Sequence, residues 1–269
     1  MNKLEHFINK EYLNPDLFSE KYRENKPFPH IVLKNFIKKD ILDKVLSEYP
    51  DLSQIPSRIQ FNNQKEIKFA SQGYSDLSES ATTLINFLNC DVFLKYMQSM
   101  TGINETMISD PYLAGGGYHE IKTGGVLKVH ADFNNHPHLD LDRRVNLILY
   151  LNKDWDREWG GGLELYNNDN LENPEVKVVP DFNTCVIFNT TSFTLHGHPE
   201  KLSCPEDRSR KSIALYYFST GRPSEEIGDQ HSTLFKEVKG EKFKSSSFSK
   251  LKSVVKDFIP PIVLKLLNR

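Results

Sequence analysis

Six of the nine histidines in the chain, His119, His130, His136, His138, His196 and His198, fall within residues 119–198. That concentration points to metal binding. In Val126-Leu-Lys-Val-His130-Ala-Asp132 the strand-like alternation turns His130 and Asp132, two residues apart, to one face. A third donor must come from elsewhere, and Phe193-Thr-Leu-His196-Gly-His198-Pro199 offers two histidines at the end of another predicted strand. Two histidines and one carboxylate hold Fe(II) from one side and leave three coordination positions open. A lone His-x-Asp recurs by chance in many chains, mostly as a surface or hydrogen-bonding pair, so the residues beyond the third donor carry weight. Arg210 opens the β-branched and aromatic run Arg210–Phe218, fourteen residues past His196. A ligand with a distal carboxylate, held deep in an apolar barrel, needs a cation with two parallel donors, and arginine supplies that fork. Ser212 shares the face of Arg210 on the same strand.

The elements that must position these residues are β-strands. From about Pro111 the chain turns into short alternating or β-branched runs punctuated by Gly, Asn and Asp. Strands are predicted over 117–121, 126–132, 145–152, 162–166, 176–179, 184–188, 194–196 and 211–219, which together suggest a jelly roll. Ahead of them, residues 1–110 read as a mixed support region. It has a β-prone run at 27–33, a helix over 38–48 with Ile41, Leu42, Val45 and Leu46 on one face, and a helical stretch over 84–100. The expected fold is therefore α+β with a mainly β core at 111–223 and flanking N-terminal helices, packed as one structural domain. After Pro223 the composition shifts: residues 236–269 hold nine Lys+Arg against three Asp+Glu. This 224–269 tail is expected to be a helix docked on the domain or a loosely ordered end, with weak contact to an anionic membrane surface or a partner as the alternative.

The order His-x-Asp, distal His, Arg-x-Ser resembles the Fe(II)/2-oxoglutarate-dependent oxygenases, particularly the prolyl 4-hydroxylase-like branch. The matching stretches are His130-Ala-Asp132, Arg144-Val-Asn-Leu-Ile-Leu-Tyr-Leu-Asn-Lys-Asp-Trp155, Gly161-Gly-Leu-Glu-Leu165, Phe188 with His196 eight residues on, and Arg210-Lys-Ser-Ile-Ala-Leu-Tyr-Tyr217. They cover about a third of the chain, in order. The resemblance implies a double-stranded β-helix of the jelly-roll, cupin-like kind. It implies His130, Asp132 and His196 as catalytic iron ligands, and Arg210 as the anchor of the 2-oxoglutarate distal carboxylate, with Ser212 beside it. It implies a tyrosine on a flanking strand against the cosubstrate, for which Tyr150 and Tyr118 both stand open. The spacing after Phe188 favours His196 over His198. Dioxygen is the implied co-reactant, with ascorbate as an auxiliary reductant. Because related halogenases lack the carboxylate ligand, Asp132 argues for hydroxylation.

The implied activity is a dioxygenase that hydroxylates an unactivated C–H bond of a prolyl residue in a peptide or protein. The same chemistry on a small metabolite, a saccharide or a lipid intermediate stays open. Two rivals from other classes are a non-catalytic cupin-like module and a Zn or Mn cupin, neither of which has a use for Arg210. Other features read more plainly. His136 and His138 sit in a loop-like stretch and are expected to face solvent or substrate. Trp155 and Trp159 are expected to pack, and Gly115–117 and Gly160–162 lack the context of a phosphate loop and read as turns or bulges.

Composition narrows the field further. With 269 residues, 34 Lys+Arg against 36 Asp+Glu and a pI near 6.5, the chain lacks the basic excess of a nucleic-acid binder. Hydrophobic residues at 38% suffice for a large core. The longest apolar runs, such as Val145–Leu151, fall short of the roughly 20 residues of a membrane-spanning helix. The N-terminus shows no signal-peptide pattern, and three widely spaced cysteines make no disulfide framework. A cytoplasmic location is the resulting expectation.

Overall fold

The computed structural model describes residues 3–238 and 242–243. The described residues hold four α-helices, α1 (Asp16–Glu24), α2 (Lys39–Ser47), α3 (Glu79–Leu88) and α4 (Asp91–Thr101). Their strands are β1 (His30–Lys34), β2 (Ile59–Asn62), β3 (Glu66–Ala70), β4 (Ile108–Ser109), β5 (Gly117–Lys122), β6 (Val126–Ala131), β7 (Asp142–Tyr150), β8 (Leu163–Tyr166), β9 (Val176–Val178), β10 (Thr184–Asn189), β11 (Leu195–His198), β12 (Ser209–Ser219) and β13 (Leu234–Phe235). All ladders between these strands are antiparallel, in the order β1-β10-β7-β12-β5-β3-β6-β11-β8-β9. The sheet folds over on itself as a double-stranded β-helix, with β3 pairing both β5 and β6.

Side-chain alternation decides what each face does. On β7, Val145, Leu147 and Leu149 face the helices and join a core with Cys185 and Ile187 of β10, Ile213 and Leu215 of β12, and Leu84, Leu88 and Met97 of α3 and α4. Asn146, Ile148 and Tyr150, out of phase by one residue, face the barrel interior. The β7–β12 register then sets Ser212 opposite Tyr150, Ala214 opposite Ile148 and Tyr216 opposite Asn146. Covering one face with helices and the other with the opposing sheet explains why β7 and β10 are nearly continuous apolar runs. Each fully buried Leu or Ile on the outer face contributes roughly 1.5–3 kcal/mol.

Three differences from the sequence reading have local causes. The helical stretch expected over 84–100 is two helices. Ser78 caps α3 by accepting the Ala81 N–H, Cys90 takes an extended conformation (φ −81°, ψ 160°), and Asp91 then begins α4, which ends on left-handed Gly102. An apolar period that runs through the Asn89-Cys90 junction conceals this break. Second, β2 and β3 were not foreseen, because residues 59–70 are largely polar or half-buried; yet β3 closes the barrel. Third, the chain after Pro223 returns to the barrel, where Leu234 and Phe235 of β13 pair with Ala131 and His130. The basic amphipathic run over 251–269 lies outside the described residues. Among the described residues no helix is long and apolar enough to cross a membrane.

Candidate metal centre

His130 lies near the end of β6 and Asp132 directly follows it, and β11 lies beside β6 with His196 directly opposite His130. A side chain at Gly197 would sit 2.9 Å from the carbonyls of Leu127 and Lys128, so glycine between the two β11 histidines lets the strands approach this closely. One donor atom from each of His130, Asp132 and His196 lies within 4.8 Å of the others. His130 Nε2 is 3.5 Å from Asp132 Oδ1, and His196 Nε2 is 3.4 Å from Oδ2. Both rings have a set tautomer: His130 Nδ1 meets the Lys128 carbonyl at 2.8 Å and His196 Nδ1 the Thr194 carbonyl at 3.2 Å. A carbonyl only accepts, so each Nδ1 carries the hydrogen and each Nε2 lone pair is free to face a metal.

The carboxylate is oriented just as firmly. Asp132 Oδ2 accepts from Arg143 Nη2 at 3.0 Å and from Asn146 Nδ2 at 2.6 Å. Arg143 also donates to Asn146 Oδ1 through Nε and Nη2, and its guanidinium lies 4.2 Å from the Phe133 centroid and 3.5 Å from that of Tyr216, two rings set edge-to-face to each other. Burial by itself would raise the Asp132 pKa, but Arg143 and the two imidazoles override it and hold the carboxyl well below the usual range. Burial, then His130, lowers His196 to about 4. Near neutral pH His196 is therefore neutral and Asp132 ionised, the protonation states that metal binding requires of them. By donor type, convergence and set tautomers these three residues fit Fe(II).

The far end of the same interior cavity, about 70 Å³ in volume, is lined by Arg210, Ser212 and His198. Arg210 Nε donates to the Gly161 carbonyl at 2.7 Å and Nη2 to the Tyr150 hydroxyl at 3.0 Å. Gly161 (φ +73°) is required here, because a Cβ would stand 3.0 Å from Arg210 Cδ. Tyr150 is fully buried, and burial raises its phenol pKa against the opposing pull of Arg210. A buried guanidinium with a phenol and a serine hydroxyl alongside could take a carboxylate. Of the two open tyrosines, Tyr150 is the one that hydrogen-bonds Arg210. Tyr118 points the other way, packs on Tyr49 and shares a hydrogen bond with Ser78. His198 lines the cavity and stands outside the metal-donor group.

Several expectations and omissions resolve here. His136 is not solvent-facing: it is 3% exposed, and its Nε2 meets Asp110 at 3.0 Å while Nδ1 accepts the amides of His138 and Leu139. His138 lines a cleft of about 830 Å³ with Tyr112, Phe133, Gln72 and Thr233. A smaller space lined by His130, Asp132, Phe133 and Thr233 joins this cleft to the metal donors. Trp155 and Trp159 pack edge-to-face. Arg143, Asn146 and Lys68, which also lines the barrel cavity, were missed. The signal for Asn146 was legible: a lone amide at inward parity in an apolar strand.

Residues 116–218 match the 2OG-Fe(II) oxygenase superfamily, and the matched stretch contains all three converging donors and Arg210. Over that stretch the chain is similar to this superfamily. It is 27% identical over 197 residues to prolyl 3-hydroxylase OGFOD1 of Mus musculus, covering 71% of this chain and 33% of that protein. The Xenopus laevis protein of the same name is 27% identical over 202 residues, covering 72% and 35%. The chain thus spans about a third of the length of these curated relatives. Among solved structures, a Trichoplax adhaerens prolyl hydroxylase bound to a hypoxia-inducible-factor peptide aligns with TM-score 0.58 at 18% identity, over 78% of this chain and 91% of that one. A Pseudomonas putida prolyl-4-hydroxylase aligns at 0.53 and 14%, over 76% and 98%. At these identities the structural likeness is one of fold. Fe(II) and 2-oxoglutarate are the cofactors that the superfamily and the His-Asp-His donor set imply.

Proposed function

We propose that this chain hydroxylates a prolyl residue of a peptide or protein in an Fe(II)- and 2-oxoglutarate-dependent reaction. The observation that carries the reading is the convergence of His130, Asp132 and His196 at one end of a cavity whose other end holds Arg210 against Tyr150. With both bound, Fe(II) and 2-oxoglutarate supply the oxidising chemistry: one oxygen atom of O2 enters the substrate C–H bond, and the other leaves in succinate as CO2 is lost. The three donors would hold the metal. Arg143 and Asn146 keep Asp132 ionised and fixed through Oδ2, which leaves Oδ1 a lone pair for the metal. Arg210, Tyr150 and Ser212 would seat the distal carboxylate, and the barrel wall of Ile148, Leu163 and Ala214 keeps bulk water from the reacting atoms. Substrate would enter through the cleft beside Phe133 and His138. The prolyl assignment rests on the names of the two curated relatives.

The first test is anaerobic. Adding Fe(II) and then 2-oxoglutarate to the metal-free protein is expected to produce the visible charge-transfer band of the chelate. Proline-containing peptides with O2 should then gain one oxygen at proline as succinate accumulates. Absence of the band, with tight Zn or Mn binding in its place, would replace the enzyme by a cupin-like binding module. Succinate coupled only to a small metabolite would overturn the prolyl substrate.

A further inference from the structure

His198 is 3% exposed, yet neither ring nitrogen has a hydrogen-bond partner. The Glu200 backbone approaches the ring without hydrogen-bond geometry. Leaving a buried polar group unpaired forfeits its hydration with nothing in return, so an orphan imidazole in a finished barrel calls for a partner that arrives later. The other orphans differ. Arg143 Nη1 also lacks a partner, but that guanidinium packs over the Phe133 and Tyr216 rings, whose π-faces compensate it. Asp43, Arg58 and Tyr96 lie away from the barrel cavity. Among the described residues, His198 is the orphan that lines it.

Position indicates which part of a ligand it meets. His196 and His198 share the inward face of β11, about 6–7 Å apart along the strand. Along β11 the register moves from His130 opposite His196 to Leu127 opposite His198, away from the metal donors, and His198 lines the cavity together with Arg210 and Ser212. Building on the 2-oxoglutarate reading above, we propose that His198 is a further cosubstrate-binding residue, whose ring N–H donates to the distal carboxylate alongside Arg210. The imidazole makes this subsite a donor set that a hydrocarbon side chain at the same place could not provide.

The test is calorimetry of 2-oxoglutarate binding to the full chain loaded with Mn(II), paired with thermal unfolding of the metal-free protein. His198→Val removes both nitrogens and keeps an apolar filling. It is expected to weaken 2-oxoglutarate about tenfold, the consequence of withdrawing one donor from a buried carboxylate, while the Tm of the metal-free protein holds or rises. His198→Gln, which restores an N–H donor, should recover most of the affinity. Unchanged affinity in His198→Val overturns the proposal, and so does a loss of affinity accompanied by a lower Tm that His198→Gln does not rescue. If the native protein itself fails to bind 2-oxoglutarate, the cosubstrate reading falls and takes this inference with it. Native binding with an indifferent His198→Val sinks the inference alone.

Discussion

Val145, Leu147 and Leu149 on β7 meet only apolar neighbours from the helices, whereas Asn146 and Tyr150, interleaved with them, meet a buried arginine each. The outer set stabilises by displacing water from hydrocarbon, and any side chain of similar shape would serve it. The inner set holds charge and hydrogen-bond donors out of water, an arrangement that contributes little to stability unless every partner is present. One strand thus separates folding from chemistry by parity, and the two faces should fail differently when altered.

The largest effect is expected from Asp132→Ala. It removes a metal donor and leaves Arg143 as an uncompensated buried charge, so the 2-oxoglutarate charge-transfer band should vanish. Urea unfolding should show a loss of about 3–5 kcal/mol. Leu147→Ala breaks the other face: a loss of about 2–5 kcal/mol in the same unfolding experiment, with the metal affinity of the folded fraction unchanged. Were Leu147→Ala to abolish metal binding at full folding, the separation by parity would be wrong. Arg210→Ala is the mirror image, expected to weaken 2-oxoglutarate by about 2–5 kcal/mol, the range for truncating one partner of a buried charge pair. Titration calorimetry reads it directly. An unchanged affinity would move the anchor to Lys211 or Arg208.

Acid offers a milder probe. His196 titrates near 4 in the folded metal-free protein against an ordinary 6.5, and His198 is likewise depressed. Between those values the unfolded chain binds protons that the folded chain does not, so stability should fall as the pH drops from about 6.5 toward 4. Asp132 extends the loss to lower pH, below the ordinary carboxylate range, because its folded pKa is depressed as well. Chemical denaturation across that window checks the sign, and a flat profile would mean that the inner face is open to water. The smallest change is Tyr150→Phe, which keeps the ring under Arg210 and deletes the hydroxyl. A loss of about 1 kcal/mol in 2-oxoglutarate binding is expected, read by the same calorimetry, with little change in Tm.

Much of this organisation is local and therefore written in the chain. Short alternating or β-branched apolar runs mark β6, β7, β10 and β12 within a residue or three of their ends, and strand parity turns His130 with Asp132, and Arg210 with Ser212, to shared faces, because it depends only on the strand's own residues. The same locality explains the failures. The run that becomes β3 alternates only over Glu66-Ile67-Lys68-Phe69, too briefly to stand out from the polar stretch around it, and the break between α3 and α4 turns on one extended residue. Arg143 carries no periodic signal either, since its partners Asp132, Phe133 and Tyr216 are gathered from separate stretches of the chain. Tyr150 and Tyr118 read alike until strand pairing sends one to Arg210 and the other to Ser78.

Which residues lie on a face was thus decided by the sequence alone, through backbone geometry that repeats every two residues. Which faces meet was decided by tertiary structure. The pairing of His196 with His130, the clamp of Arg143 on Asp132, and the isolation of His198 beside Arg210 all depend on register between strands far apart in the chain. That register is set by the joint burial of the helices and sheets around them.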